Sequence, residues 1–222
     1  ITSGVVEEAV ALGCEMIVAH HPLIFRPLAS LRADRPAEAL VLKVVAARLA
    51  VGVAHTNLDR ARGGMNDWLA EELGLLDPRP VEGYGLGGLA RIGHLPRPMT
   101  LAEWVREVAR RLGVPALRYV GDPQRRVSTV MSMSGSGGSA IQAALREGAD
   151  VLVTGDMKFH QALDAQESGL AVVDAGHFAS EALVRTRLTA YLQEAARQKE
   201  WPVEFLASRS ETDPFSFYRL EE

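Results

Sequence analysis

Two adjacent histidines stand where a short apolar segment of the 222-residue chain ends. His20 and His21 follow the run MIVA, and Pro22, which has no amide proton to donate, stops the segment. Where a strand breaks down, neighbouring side chains no longer point to opposite faces, so both imidazoles can turn toward one point. Neutral imidazole is the commonest metal ligand in proteins. The pair is therefore a candidate metal site, and the alternative is two polar residues that merely end a strand.

His177 and Glu181 form a second candidate pair. If a helix begins near His177, residues four apart lie on one face, one turn apart, and an imidazole and a carboxylate so placed can share a metal ion. The alternative is a carboxylate in the first helical turn that is stabilised by the helix macrodipole. His55 and Asp59 have the same spacing after another apolar segment, where an exposed Asx-type turn is the competing interpretation.

The joint occurrence of these residues is more informative than any one of them. Of the six histidines, five directly follow apolar segments that read as strands: His20, His21, His55, His160 and His177. Ligand crevices in open α/β sheets form at the carboxyl ends of the strands. These imidazoles together with Asp59 and Glu181 exceed what one tetrahedral ion needs. Two ions about 3.5–4 Å apart with a bridging carboxylate satisfy such a ligand set, as in two-metal hydrolases.

Two further segments carry polar groups after predicted strands. The loop of residues 134–139, SGSGGS, precedes a predicted helix, so its amides could cradle an anion such as a phosphate. It matches neither the dinucleotide fingerprint nor the Walker loop, and its glycines could serve only a tight turn. Asp156, Lys158 and His160 could contact the metal ligands from outside, bind substrate, or form a polar turn.

The elements that would position these residues alternate between helices and short apolar strands, which is typical of parallel α/β architecture. Helices are predicted at 5–12, 36–50, 66–73, 101–112, 140–147, 161–168 and from 177 to about 199. Strands are predicted at 16–19, 49–54, 127–133, 151–154, 170–174 and 203–206. Thr100 and Glu103 have the spacing of a capping box at the start of one helix.

A short internal similarity suggests how the elements are grouped. EEAVALGCEMIVAHHP resembles IQAALREGADVLVTGDMK in its succession of helix, glycine, acidic residue, apolar strand and polar turn. Residues 77–93 are rich in Gly and Pro without a clear period and are predicted to connect two lobes. We expect two related α/β lobes, 1–93 and 94–222, with mixed, mainly parallel sheets, a metal site in the cleft between them, and C-terminal residues that pack back on the first lobe.

Composition excludes several classes of protein. A content of 47% hydrophobic and 23% charged residues fits a globular protein, and a net charge of −4 argues against a nucleic-acid or anionic membrane surface. A single cysteine excludes an intramolecular disulfide and suits a reducing compartment, so we expect a cytoplasmic protein. No apolar run approaches the ~18 residues of a membrane span. The chain begins at Ile1 with what reads as the middle of a helix, so an N-terminal segment is expected to be missing.

Five motifs, in order along nearly the whole chain, resemble a known family: HHPLIFRPL, HTNLD, GDMKFHQALDA, DAGHFASE and TDPF. The combination is similar to the dinuclear metal-centre proteins named GTP cyclohydrolase 1 type 2-like, or NIF-three-like. The resemblance implies a two-lobed α/β fold, a pair of divalent metals, and homohexamers in several members. It implies metal ligands at His20, His21, Asp59, His177 and Glu181, with Glu181 as the bridge. It places His55 beside the metals as an outer or substrate-contacting catalytic group.

The chain departs from the family pattern in two respects. Relative to that pattern, we expect the family's N-terminal segment, which includes a first strand, to be missing ahead of Ile1. We also expect no additional domain of the kind that longer members insert after the first lobe.

The leading functional hypothesis is a metal-dependent hydrolase that acts on a small molecule, with a nucleotide such as GTP as the expected substrate. A metal-dependent phosphoesterase is the alternative among enzymes, and a non-catalytic metal-binding or scaffold protein is the alternative of another class. Histidine with carboxylate suits Zn, Fe, Mn, Co or Ni, so the identity of the two divalent ions stays open. No nucleic-acid or membrane partner is expected.

Overall fold

The computed structural model describes residues 1–218, and residues 219–222 of the predicted second lobe lie outside this range. Contacts divide the chain into two compact units. Unit 1 comprises Ile1–Leu58 and Leu188–Pro214, and unit 2 comprises Asp59–Arg187 with the residues from Phe215 onward. The chain thus changes unit after Leu58, whereas the sequence placed the lobe boundary after residue 93. The reason is that residues 76–100 pair into the large sheet of unit 2.

Unit 1 is a small α/β unit built on two parallel strands, with Met16 paired to Ala50 and Ala19 to Val53. Its core is formed by apolar residues of both helices and of the strands: Val6, Ala9, Ile17, Val44 and Leu49. Its regular elements are α1 (Ser3–Ala11), β1 (Met16–Ala19), α2 (Pro36–Ala46), β2 (Ala50–Val53) and α3 (Thr56–Arg60), which ends in unit 2.

Unit 2 contains a six-stranded sheet in the order β3-β4-β6-β7-β8-β5. The β6–β7 and β7–β8 pairs are parallel, and the β3–β4, β4–β6 and β5–β8 pairs are antiparallel. Its helices are α4 (Met65–Glu72), α5 (Leu101–Leu112), α6 (Ile141–Arg146), α7 (Phe159–Glu167), α8 (His177–Glu181) and α9 (Leu183–Gln198), which continues into unit 1. Its strands are β3 (Leu76–Val81), β4 (Ala90–Thr100), β5 (Arg118–Val120), β6 (Arg126–Ser136), β7 (Val151–Gly155) and β8 (Ala171–Asp174).

The central strands of unit 2 are buried on both faces. In β7, Leu152 belongs to one apolar cluster, whereas Val151 and Val153 belong to another. Successive side chains of a strand point to opposite faces, so each cluster lies on its own face of the sheet. This explains why these strands read as continuous apolar runs in the sequence. The predicted mixed α/β class, with partly parallel sheets, is confirmed.

Residues 77–93 were predicted to be an irregular connection, and this was wrong. They contribute β3 and the start of β4, which pair antiparallel. Pro78 and Pro80 obscured the strand, but β3 is the edge of the sheet, where a residue without an amide proton removes no ladder hydrogen bond.

Three smaller expectations also differ from the structure. The predicted strand at 203–206 is absent from the described residues; there the Phe205 amide donates to the side chain of Gln193. The predicted helix from 177 to 199 is divided at Ala182 into α8 and α9. The short strand β5 was missed. The capping box at Thr100 and Glu103 is confirmed, because each backbone amide donates to the other side chain.

No helix within residues 1–218 has both the length and the apolar character that crossing a bilayer requires.

Candidate metal-binding groups

In unit 1 the ends of the two parallel strands bring three imidazoles together. His20 and His21 directly follow β1, and His55 follows β2 after Ala54. The ring centroids are 5.1 Å apart for His20–His21, 5.1 Å for His20–His55 and 5.2 Å for His21–His55. We call these residues the three-histidine group. The register of the strands explains it, because Ala19 pairs with Val53 and the next residues leave the sheet side by side.

These separations match three imidazoles around one ion. With metal–nitrogen bonds of about 2.0–2.1 Å and tetrahedral angles, the ring centroids would lie about 5.2–5.4 Å apart. One ring nitrogen of each histidine lies within 4.8 Å of those of the other two. The three-histidine group can therefore hold a metal ion with little movement.

A backbone carbonyl sets the orientation of the buried member of this group. His20 is 8% exposed, and its Nδ1–H donates to the carbonyl oxygen of Ala54 at 2.7 Å. A carbonyl can only accept, so the neutral ring carries its proton on Nδ1 and its lone pair on Nε2. This is the outer contact that ligating histidines usually make.

Unit 2 contains a second group, in which carboxylates surround one imidazole. His177 begins α8, its Nε2 lies 3.1 Å from Glu181 Oε2, and its Nδ1 lies 2.8 Å from Asp156 Oδ2. We call Asp156, His177 and Glu181 the histidine–carboxylate group. The i,i+4 spacing in a helix aligns His177 with Glu181, as the sequence predicted, whereas Asp156 comes from the end of β7.

The two carboxylates favour the charged imidazole. The hydrogen bond to Glu181 raises the pKa of His177 to about 9, burial opposes the rise, and the charge of Glu181 and the contact with Asp156 add to it. The metal-free ring therefore carries a proton on each nitrogen at neutral pH. A metal ion that binds Nε2 and Glu181 must take the place of that nitrogen's proton.

Asp59 also belongs to unit 2, and two hydrogen bonds of the Asn66 side chain connect its backbone to β6. The side chain of Asn66, on α4, accepts from the Ser134 amide at 2.8 Å and donates to the Asp59 carbonyl at 3.2 Å. The next amide of β6, that of Gly135, donates to Ser180 Oγ of α8 at 3.0 Å. The backbone at Asp59 and the helix with His177 and Glu181 are thus both fixed to the end of β6.

Gly135 makes room for the carboxylate of Glu181. Its φ is +63°, and a Cβ at this position would overlap Glu181 Oε1 and lie 3.3 Å from His177 Nε2. A Cβ at Gly137 would overlap Thr154, and one at Gly138 would overlap Gln161. The glycines of residues 134–139 therefore permit close packing. The amides of Ser134 and Gly135 donate to the side chains of Asn66 and Ser180, so these two amides are not available to an anion.

Sequence reasoning selected most of these residues and the pairs His20–His21 and His177–Glu181, but it did not assign the third member of either group. It predicted His55 to be a catalytic residue beside the metals, and the structure places its ring next to those of His20 and His21. It left the role of Asp156 open and overlooked Asn66 and Ser180. Asn66 and Ser180 are buried polar residues within helices, and their residue types alone give no indication of a contact between distant segments.

The fold and these groups define a class: a mixed α/β protein whose histidines and carboxylates can hold divalent metal. The family comparison goes further. Residues 1–214 match the model of the DUF34/NIF3 family (NGG1p interacting factor 3), and the chain belongs to this family.

The similarity to individual relatives extends over most of the length of those proteins. The chain is 34% identical over 221 residues to the GTP cyclohydrolase 1 type 2 homolog of Clostridium perfringens, covering 97% of this chain and 82% of the relative. It is 34% identical to the protein of the same name from Streptococcus pneumoniae, covering 95% and 80%. A crystal structure of a Bacillus cereus protein related to NIF3 matches with a TM-score of 0.92 and 28% identity, covering 98% of this chain and 87% of that one.

Proposed function

We propose that this chain binds two divalent metal ions and uses them to hydrolyse a small molecule, with a nucleotide such as GTP as the first substrate to test. The observation that carries the proposal is the three-histidine group, whose ring separations match ligation of a single ion. The pair His177 and Glu181 supplies a second set of donors. The names of the relatives point to GTP.

The sequence motifs imply five ligands, namely His20, His21, Asp59, His177 and Glu181, with Glu181 as the bridge. The ring separations in the three-histidine group add His55 as a further candidate donor. Imidazole and carboxylate donors suit Zn, Fe, Mn, Co or Ni and disfavour Ca and Mg, which prefer oxygen ligands alone. When bound, such ions polarise a carbonyl or phosphoryl oxygen and make water acidic enough to serve as a nucleophile near neutral pH.

The chain's own residues would hold the reacting groups in place. Ala54 fixes the ring of His20 through its carbonyl, and Gly135 leaves the space in which the Glu181 carboxylate lies. The exposed ring of Phe25 has its centroid 6.4 Å from that of His55, edge to face, so a flat substrate ring could stack there.

The first experiment measures metal per chain by mass spectrometry of protein purified without chelators. We expect two ions in the wild type. Fewer than one ion per chain after reconstitution with Zn²⁺, Fe²⁺, Mn²⁺, Co²⁺ or Ni²⁺ would contradict the proposal.

The second experiment follows GTP turnover by the reconstituted protein. A formyl or ring-opened product supports a cyclohydrolase, and released phosphate supports a phosphoesterase. If GTP and a panel of nucleotides and phosphoesters show no turnover above the Glu181→Ala variant, the hydrolase proposal fails and metal binding alone is retained.

A further inference from the structure

His177 is contacted from two sides by carboxylates with different origins. Glu181 is one helical turn away on α8, whereas Asp156 belongs to the turn after β7, 21 residues earlier in the chain. We infer that Asp156 is a positioning residue, which holds the ring of His177 so that Nε2 faces the metal. The inference rests on the proposed function, because it assumes that His177 binds metal through Nε2.

The hydrogen bond defines which nitrogen can bind an ion. An ionised carboxylate only accepts, so Asp156 Oδ2, 2.8 Å from Nδ1, keeps a proton on that nitrogen. The lone pair of the neutral ring is then on Nε2, on the side of Glu181. A carboxylate in this outer position also increases the basicity of the ligating ring and fixes its rotation.

The turn that carries Asp156 is built against the turn that begins α8. Asp174, whose side chain is buried, accepts from the Met157 amide at 3.2 Å and from the Gly176 amide at 3.1 Å, so one carboxylate binds both turns. A Cβ at Gly155 would lie 2.6 Å from the backbone nitrogen of His177. The two turns are therefore in backbone contact, which fixes the distance between Asp156 and His177.

The backbone of Asp156 permits a clean test of its side chain. Its φ is +51°, in the left-handed region that aspartate adopts more readily than most residues with a Cβ and that glycine adopts without strain. A glycine at 156 would therefore form the same turn, so its substitution removes the carboxylate without adding backbone strain.

Asp156→Gly in the full chain tests the inference, because it removes the carboxylate and relieves the backbone. Asp77→Gly is the matched control, since Asp77 is an exposed aspartate with φ +48° that makes no contact with His177 among the described residues. Asp156→Asn keeps the shape and one acceptor without the charge, and His177→Ala removes the ring.

For each variant and for the wild type, Zn²⁺ affinity is measured by competition with a chromophoric chelator. The visible absorption of the Co²⁺ protein and the thermal midpoint in chelator are also recorded.

We expect Asp156→Gly to weaken Zn²⁺ binding by about 10–100-fold and to change the Co²⁺ spectrum, with Asp156→Asn intermediate and Asp77→Gly unchanged. The metal-free thermal midpoint of Asp156→Gly should change little, because relief of the backbone strain offsets the lost contact with His177. If both Asp156 variants keep the Zn²⁺ affinity and the Co²⁺ spectrum of the wild type, and His177→Ala still loses metal, the inference is overturned. If His177→Ala binds metal as the wild type does, the proposed function itself fails. If Asp156→Gly does not fold, Asp156→Asn decides by the same readouts.

Discussion

The two candidate metal-binding groups are positioned in different ways. In unit 1, backbone geometry does most of it: two strand ends place three imidazoles, and a carbonyl orients the buried ring. In unit 2, hydrogen bonds of side chains from separate segments position the group. Asp156 contacts the ring of His177, while Asn66 and Ser180 accept from backbone amides at the end of β6. The first arrangement depends on the strand register. The second depends on each of several individual residues and is expected to be more sensitive to substitution.

The largest effect is expected from Glu181→Ala, which removes the carboxylate opposite His177 Nε2. If Glu181 bridges, both ions should be lost or weakened, whereas Asp59→Ala should reduce bound metal less. Metal content per chain is the measurement, with Glu167→Ala, an exposed glutamate of α7, as the control. Two ions retained in Glu181→Ala would contradict the bridge, and full occupancy in both variants would contradict the ligand assignment.

Gly135→Ala tests whether unit 2 is as sensitive as the comparison suggests. The new Cβ would overlap Glu181 Oε1, so we expect at least tenfold weaker metal binding. A left-handed backbone also costs a non-glycine residue about 1–2 kcal/mol of folding stability. Gly148→Ala separates the two effects, because Gly148 has φ +72° and open space around its Cβ position. Equal metal affinities in the two alanine variants would show that the overlap is harmless.

In the metal-free protein, the histidine–carboxylate group should make the thermal midpoint depend on pH. The folded pKa of His177 is raised from 6.5 to about 9, so its contacts stabilise the fold fully below pH 6.5, and this contribution is lost as the pH rises through about 9. The difference in thermal midpoint between wild type and His177→Gln, in chelator, should therefore shrink over that range. The effect should be modest, because the side chain is 34% exposed. A difference that is constant with pH would argue against the charged ring.

The smallest effect is expected at the contact between α1 and the C-terminal chain segment of the same unit. Glu8 of α1 accepts from Ser208 Oγ and from the amides of Arg209 and Ser210, and these bonds, that of Ser208 first, lower its pKa from 4.5 to about 2. The stabilisation is present above pH 4.5 and is lost as the pH falls toward 2.

Glu8→Gln should therefore increase amide exchange at Arg209 and Ser210 near neutral pH and leave metal content unchanged. Glu7→Gln is the neighbouring control, since Glu7 pairs with Lys43 instead. Unchanged exchange in Glu8→Gln would show that other contacts hold this segment.

The sequence alone determined the local features of this protein. Apolar runs revealed the strands β1, β7 and β8 without knowledge of their partners, although only β7 and β8 are buried throughout and β1 exposes Met16 and Val18. Histidines after strand ends and the His177–Glu181 spacing identified candidate ligands, since both follow from strand and helix periodicity. The capping box at Thr100 was equally local.

Only the tertiary structure decided what depends on distant segments. Strands β3 and β5 exist because neighbours pair with them, and residues 59–93 belong to unit 2 for the same reason. The inclusion of His55 in the three-histidine group follows from the register of two strands separated by a helix. The contact of Asp156 with His177 follows from two turns that lie side by side after the neighbouring parallel strands β7 and β8. Spacing along the chain does not encode such contacts, because they arise when separate elements pack.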